Sequence, residues 1–145
     1  MKLSALYQIF LDCQSVTTDS RNCPDGSLFI ALKGESFNGN AFAKLALDSG
    51  CAFAIIDEIQ YAVEGDQRYI LVDDCLQTMQ QLANYHRRQL GTRVIGITGT
   101  NGKTTTKELI SSVLCQAHNV LYTLGNLNNH IGVPLTLLAM TRDVE

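Results

Sequence analysis

The chain has 145 residues, a formal net charge of −3 at pH 7, 46% hydrophobic residues and 17% charged residues. This length suffices for one ordinary domain, or for a small domain with part of another. The sequence has no cluster of lysine and arginine, which argues against a nucleic-acid-binding protein. No apolar run reaches the roughly 18 residues that a membrane span requires.

The five cysteines and three histidines show no metal-ligand spacing. No two cysteines form a C-x-x-C pair, and an odd number does not make a disulfide framework. We therefore expect reduced thiols with structural roles. Since the first residues also lack the features of a signal peptide, the sequence predicts a cytosolic location.

The first 88 residues predict a small α/β domain with mainly parallel strands, because apolar runs alternate with helical patterns. An amphipathic helix is expected over the first ten residues. A second should begin at Asn40 and end at Gly50, with Phe42, Leu45, Ala46 and Leu47 on its apolar face. A third should follow a cap at Asp73 or Asp74. Residues 16–18 form a short β-prone run, and strands are expected at residues 27–32, 52–56 and 69–72.

A second unit is predicted from residue 89 onward. An apolar strand at 93–98 should lead through a glycine loop into a helix from Lys103 to about Ala117. A short strand at 120–122 and a helix at 133–140 should follow, with Pro134 in the first turn of that helix. One strand–helix–strand unit and a further helix are too little for a closed nucleotide-binding domain. We therefore expect the chain to be a fragment that is inactive alone.

The segment T-G-T-N-G-K-T-T-T at residues 98–106 is a candidate phosphate-binding loop. Backbone amides at a helix N-terminus bind anions, and glycines let the backbone approach a phosphate closely. The lysine would face the β- and γ-phosphates, and the following threonine hydroxyl would bind Mg²⁺. The predicted ATP contacts are Gly99, Thr100, Asn101, Gly102, Lys103, Thr104 and Thr105, with Lys103 and Thr104 catalytic and Thr104 the metal ligand.

The loop departs from the general G-x-x-x-x-G-K-[ST] pattern, which would require a glycine where Ile97 stands. The sequence carries the shorter G-x-x-G-K-T instead. Glycine-rich turns between a strand and a helix also occur for structural reasons alone. Here the strand, the G-K-T-T run and the helix are predicted together, which favours phosphate binding.

This shortened loop resembles the ATP loop of the Mur ligases, the cytoplasmic enzymes that build the peptide stem of bacterial peptidoglycan. The runs T-D-S-R at 18–21 and L-F-I-A-L-K-G at 28–34 are similar to the UDP-binding domain of two types of Mur ligase. One type adds the third residue of the peptide stem, and the other adds D-Ala-D-Ala. The run G-N-L-N-N-H-I-G-V-P-L-T at 125–136 is most similar to the second type. The implied fold is a small N-terminal UDP-binding domain, 1–88, followed by the start of a P-loop-type central ATPase domain, 89–145.

The resemblance implies amide formation through an acyl phosphate, with ATP and Mg²⁺ as cofactors. UDP-N-acetylmuramoyl-peptide and D-Ala-D-Ala would be the substrates of a monomeric enzyme that neither binds nucleic acid nor inserts into a membrane. The family's remaining catalytic groups would follow residue 145, so no general base is assigned. The implied substrate contacts are Thr18, Ser20, Glu35, Ser36, Phe37, Asn128 and Asn129.

Other interpretations remain open. The residues around Ser20 could form only a capped turn, and Asn128 or Asn129 could stabilise its own loop. The phosphate loop also fits a ligase like folylpolyglutamate synthase or cyanophycin synthetase. A non-catalytic module that binds a UDP-sugar or a nucleotide would belong to a different functional class.

Overall fold

The computed structural model describes residues 1–125 and 127–145, which divide into two compact units, Met1–Leu82 and Ala83–Glu145. Asn126, part of the run at 125–136, lies outside the described residues. Over these ranges, no helix has the length and hydrophobicity that a membrane crossing needs. The domain limits 1–88 and 89–145 stay a prediction.

A parallel sheet forms the centre of the first unit, which confirms the predicted α/β class. Its strands lie in sequence order and pair in parallel throughout. The two central strands are buried except for Phe53, as expected where both faces of a parallel sheet are covered. The strands are β1 (Val16–Thr17), β2 (Leu28–Ile30), β3 (Phe53–Ile56) and β4 (Tyr69–Leu71).

The predicted helices of the first unit are present. Asp74 caps the third helix, because its Oδ1 accepts a hydrogen bond of 2.7 Å from the amide of Gln77. Short 3-10 turns, absent from the sequence prediction, cover Gly39–Phe42 and Ile59–Tyr61. The α-helices are α1 (Leu3–Asp12), α2 (Ala43–Asp48) and α3 (Cys75–Leu90).

The predicted apolar face of the second helix is wrong at two positions. The side chains of Phe42 and Leu45 are exposed. The chain forms a 3-10 turn before α2 begins, and a 3-10 helix advances three residues per turn instead of 3.6. The buried face therefore consists of Ala46 and Leu47, as predicted, with Ala43 in place of Phe42 and Leu45.

The second unit contains α4 (Lys103–Leu114) and α5 (Gly132–Leu138). Both helices were predicted, although α4 ends before Ala117. The Nε2–H of His86 donates to the carbonyl oxygen of Met140 over 2.9 Å, and both residues are buried. This bond anchors the segment after α5 to the second half of α3.

The strands predicted at residues 93–98 and 120–122 are not formed. Within the described residues, neither segment pairs with another strand. Their apolar composition suits a buried strand, but a strand exists only as part of a hydrogen-bonded ladder. Without a neighbour the segments stay irregular, and Val94 and Ile95 remain 55% and 63% exposed.

Candidate functional site

The candidate phosphate loop is an exposed turn that leads into α4. Gly99 has a φ of +151° and Gly102 a φ of +78°, both in the region that favours glycine. Gly102 is also the residue that immediately precedes the helix. The backbone path therefore requires both glycines of the shortened motif.

The first turn of α4 offers unpaired backbone donors. The amide of Thr106 donates to the carbonyl oxygen of Gly102 over 2.9 Å and is the first to bond within the helix. Among the described residues, the amides of Lys103, Thr104 and Thr105 have no partner, and Gly102 has no side chain to cap them. Such amides, together with the helix dipole, favour a bound anion.

Lys103 places a positive charge over this loop. Its Nζ donates to the carbonyl oxygen of Gly99 and more weakly, over 3.4 Å, to that of Thr100. The side chains of Thr100, Asn101, Thr104 and Thr105 are exposed around it. The exposed Thr104 hydroxyl lies beside the amides of the first turn of α4, and a hydroxyl oxygen there could serve as one ligand of a Mg²⁺ ion, which takes most of its ligands from phosphate and water.

The first unit brings its five predicted substrate residues to one edge of the sheet. The turn at 18–22 follows β1 and the loop at 33–38 follows β2, and these two strands pair in parallel. Their carboxyl ends therefore lie at the same edge, where open parallel sheets commonly bind ligands. Asn128 and Asn129 belong to the second unit.

The turn at 18–22 is held by an ion pair. The Nε and Nη2 of Arg21 donate to the two carboxylate oxygens of Asp19 over 2.9 and 2.8 Å. The hydrogen bonds from the side chain and then the amide of Arg21 lower the pKa of Asp19 to about 2. The turn is thus capped, yet in the described part of the chain the hydroxyls of Thr18 and Ser20 bond to no other residue. They remain available to a ligand.

The loop at 33–38, which we term the substrate loop after the predicted role of residues 35–37, is closed at its base. Lys33 and Asn38 form an antiparallel bridge, and the amide of Gly39 donates to the carbonyl oxygen of Leu32 over 2.9 Å. A Cβ on Gly39 would lie 2.8 Å from the Leu32 nitrogen and closer still to the Leu32 oxygen. Only glycine therefore fits where the two arms of the loop meet.

The tip of the substrate loop, residues 35–37, is exposed. The amide of Gly34 donates to the carbonyl oxygen of Phe37 over 3.0 Å, which makes the turn tight. The Phe37 ring covers Gly34 but remains 56% exposed, and Glu35 and Ser36 are also exposed. An aromatic face, a hydroxyl and a carboxylate are therefore open to solvent.

Asp57 is a buried carboxylate that sequence reasoning missed. Its Oδ1 accepts hydrogen bonds from Asn40 Nδ2 at 2.8 Å and Lys33 Nζ at 3.1 Å, and its Oδ2 accepts one from the amide of Cys75 at 3.3 Å. Burial acts to raise the pKa of Asp57, but these hydrogen bonds and the Lys33 charge outweigh it and lower the pKa. The only sequence signal was a polar residue immediately after an apolar strand.

Asn129 has a clear local role. Its Oδ1 accepts hydrogen bonds from the amides of Ile131 and Gly132 over 3.0 and 2.8 Å, at the start of α5. This is the loop-stabilising role left open from the sequence, and within the described residues the side-chain nitrogen of Asn129 forms no hydrogen bond. The side chain of Asn128 lines a cavity of about 790 Å³ within the second unit.

That cavity is separate from the phosphate loop. It lies between residues 91–97, α4, residues 120–123 and α5, and residues 98–106 do not line it within the described chain. Lys107, also missed from the sequence, donates to the carbonyl oxygen of Thr123 and lies 5.7 Å from the centre of the Tyr122 ring. It therefore connects α4 to the irregular segment at 120–123.

Several known proteins are similar to the chain. Two of them are UDP-N-acetylmuramoyl-tripeptide–D-alanyl-D-alanine ligases. The one from Bacillus subtilis is 48% identical and the one from Escherichia coli 40% identical, each over 90% of this chain. The chain spans about 28% of the length of these relatives.

Two solved structures also resemble it. Crystal structure I of MurF from Acinetobacter baumannii matches with a TM-score of 0.84 and 33% identity, over 99% of this chain and 34% of that one. MurF from Thermotoga maritima in complex with ADP matches with a TM-score of 0.78 and 32% identity, over 89% of this chain and 29% of that one.

Two family profiles match consecutive parts of the chain. Residues 97–145 match the Mur ligase middle domain. Residues 12–87, more than half of the chain, match the profile described as Mur ligase family, catalytic domain. The family expected from the short sequence motifs is thus confirmed by matches that extend over both units: the chain belongs to the Mur ligase family.

Proposed function

We propose that a protein containing this chain is an ATP-dependent ligase that joins D-alanyl-D-alanine to UDP-N-acetylmuramoyl-tripeptide in peptidoglycan precursor synthesis. The observation that carries the proposal is the identity of 48% and 40%, over 90% of the chain, to two relatives with that activity in their names. The names of these two relatives point to neither rival ligase nor a non-catalytic module.

The phosphate loop supports the ATP-dependent half of the proposal. The amides of the first turn of α4 and the ammonium group of Lys103 bind the phosphates of ATP. Because these donors are already oriented, they stabilise the negative charge that shifts between oxygens during transfer to a substrate carboxylate. Thr104 would hold Mg²⁺, which would neutralise part of the phosphate charge.

The carboxyl edge of the sheet supports the substrate half. Hydroxyls at Thr18 and Ser20 and polar groups at the loop tip can bind the uracil, ribose or pyrophosphate of a UDP-sugar. The exposed ring of Phe37 can pack against a planar base. Asn128 and the side-chain nitrogen of Asn129 are proposed to contact the muramoyl-peptide part.

Three further expectations belong to this proposal. The domains are residues 1–88 and 89–145, the protein is located in the cytoplasm, and it is a monomer. All five cysteines are free, which is consistent with a reducing compartment. Sedimentation analysis of the full-length protein tests the monomeric state.

The decisive experiment measures phosphate release by the full-length protein with ATP, Mg²⁺, UDP-N-acetylmuramoyl-tripeptide and D-Ala-D-Ala. Lys103→Ala should reduce turnover by at least roughly 100-fold, the usual effect of removing one oriented group that stabilises transition-state charge. The fold should be retained, because the Lys103 ammonium bonds only to loop carbonyls in the described structure.

Lys2→Ala, at another exposed lysine, serves as the control and should leave turnover unchanged. Wild-type turnover in Lys103→Ala would refute the role of the loop. Turnover with UDP-N-acetylmuramoyl-dipeptide and a free amino acid would identify a tripeptide-forming enzyme instead. Turnover with a folate and glutamate would identify a folylpolyglutamate-type ligase.

A further inference from the structure

The side chain of Asp57 joins three elements around the substrate loop. Lys33, on the arm that enters the loop, lies 3.1 Å from Asp57 Oδ1. Asn40, just after the arm that leaves it, donates to the same oxygen over 2.8 Å and accepts a hydrogen bond from the Asp57 amide over 3.0 Å. The other carboxylate oxygen accepts the amide of Cys75, the first residue of α3. One carboxylate thus connects both arms of the loop to the body of the domain.

Glu58 adds a second set of connections to the same arms. Its Oε1 accepts hydrogen bonds from Lys33 Nζ over 3.2 Å and from Asn38 Nδ2 over 3.1 Å. The Oδ1 of Asn38 in turn accepts two hydrogen bonds from Asn40, one from its backbone amide over 3.0 Å and one from its side-chain nitrogen over 2.8 Å. The Asn40 side chain is almost completely buried, so its orientation is fixed by these partners.

These connections stop at the base of the substrate loop. Within the described chain, the side chains of Glu35 and Ser36 at its tip form no hydrogen bond. Phe37 contacts Gly34 across the turn but is more than half exposed. The base is thus held by several hydrogen bonds, while the tip presents its functional groups to solvent. A loop held in this way loses little conformational entropy when a ligand binds to its tip.

We propose that Asp57 is a positioning residue for the UDP-linked substrate: its carboxylate fixes the base of the substrate loop so that residues 35–37 are presented in the orientation that binds. The inference rests on the proposed function, since it assigns the loop to substrate binding. Asp57 contacts the substrate through no atom of its own. Its effect is therefore on the affinity for the UDP-linked substrate rather than on the ATP site or on the chemical step.

The substitution Asp57→Asn tests this role with almost no change in side-chain volume. An asparagine has only one acceptor oxygen. It therefore cannot accept the hydrogen bonds from Lys33 and Asn40 on one side and the hydrogen bond from the Cys75 amide on the other. In the full-length enzyme we expect the KM for UDP-N-acetylmuramoyl-tripeptide to rise about tenfold, since the loop must then be ordered upon binding. The kcat and the KM for ATP should stay within about twofold of the wild type.

Asp66→Asn is the matched control. Asp66 also pairs with a basic residue of the first unit, Arg68, over 2.7 Å, and among the described residues neither side chain forms a hydrogen bond to the substrate loop. This variant should retain all three kinetic constants. Equal changes in kcat and both KM values for Asp57→Asn would indicate general damage to the fold and would overturn the inference.

Hydrogen exchange provides a readout that does not depend on turnover. The amides of Gly34 and Gly39, which close the loop, should exchange faster in Asp57→Asn than in the wild type. Saturating UDP-N-acetylmuramoyl-tripeptide should restore their protection. If Asp57→Asn does not fold, Lys33→Ala can replace it, because it removes the ion pair with Asp57 at the half-exposed Lys33 side chain. This variant should also raise the KM for the UDP-linked substrate and speed the exchange of the Gly34 and Gly39 amides. Unchanged exchange and KM in the folded variant would overturn the inference.

Phe37→Ala separates this inference from the function on which it rests. If the wild type and Phe37→Ala bind UDP-N-acetylmuramoyl-tripeptide equally, the loop is not the substrate site and the assignment of the loop fails together with the inference. If Phe37→Ala weakens binding and Asp57→Asn does not, the substrate site stands and only the positioning role is refuted. Weaker binding in both variants, with Asp66→Asn unchanged, supports the inference.

Discussion

Gly39→Ala should destabilise the first unit because the substituted position has no room for a methyl group. A Cβ there would lie 2.8 Å from the Leu32 nitrogen and 2.9 Å from the Ala31 carbonyl carbon, and closer to the Leu32 carbonyl oxygen. All three are backbone atoms next to β2, so no side chain can rotate away to relieve the overlap. The strand or the substrate loop must move instead.

The magnitude follows from three contributions. Overpacking costs about 1–3 kcal/mol, and weakening the hydrogen bond from the Gly39 amide to Leu32 costs about 1 kcal/mol. Alanine also reduces the conformational entropy of the unfolded protein, which offsets about 0.4–1 kcal/mol of this loss. The free energy of unfolding should therefore fall by about 1–3.6 kcal/mol, with a central value of about 2 kcal/mol, for which the Tm of a unit of this size falls by about 8–16 °C.

Thermal unfolding followed by circular dichroism, with hydrogen exchange of the β2 and β3 amides to identify the unit that unfolds, measures this effect. Gly96→Ala is the control, because a Cβ at Gly96 meets nothing within 4 Å. It should change stability by less than about 0.5 kcal/mol. A Tm for Gly39→Ala equal to that of the control would refute the reasoning, since it would mean that the Leu32 backbone shifts without cost.

Three other measurements test separate features. In the full-length enzyme, Ser20→Ala should raise the KM for the UDP-substrate more than it lowers kcat, because the hydroxyl supplies binding rather than chemistry; a change only in the KM for ATP would contradict this. Since the pKa of Asp19 is lowered from 3.8 to about 2, its stabilising pairing with Arg21 should be complete above about pH 4 and be lost as the pH falls through 2. An NMR titration of the carboxyl carbon should show that midpoint, and Arg21→Ala should return it to the ordinary range. Burial raises the pKa of Cys75 to about 12, so iodoacetamide at pH 8 should modify the exposed Cys115 first and Cys75 only after unfolding; equal rates would contradict the buried position.

The sequence was sufficient for features that depend on neighbouring residues. Apolar runs between turn signals predicted β2 to β4, and a short β-prone run marked the position of β1. All five α-helices were predicted, the first three of them from the spacing of their apolar residues. The phosphate loop was predictable because Gly99 and Gly102 meet a local backbone requirement, the positive φ that other residues rarely adopt. The shortened G-x-x-G-K-T pattern also identified the family before any comparison of the whole chain.

Features that depend on distant residues were decided only by the tertiary structure. Asp57 accepts hydrogen bonds from Asn40 and Cys75, which lie 17 and 18 positions away in the sequence. A hydrogen-bond network between such distant residues cannot be predicted from a local sequence pattern. The segment at 93–98 has the composition of a strand, yet a ladder requires a partner strand that the described residues do not supply. Phe42 and Leu45 were assigned to the wrong face because a 3-10 turn changed the helical phase before α2. Local sequence thus determined which backbone conformations are favourable, whereas the partners available in space determined which of them formed ladders, buried faces and polar networks.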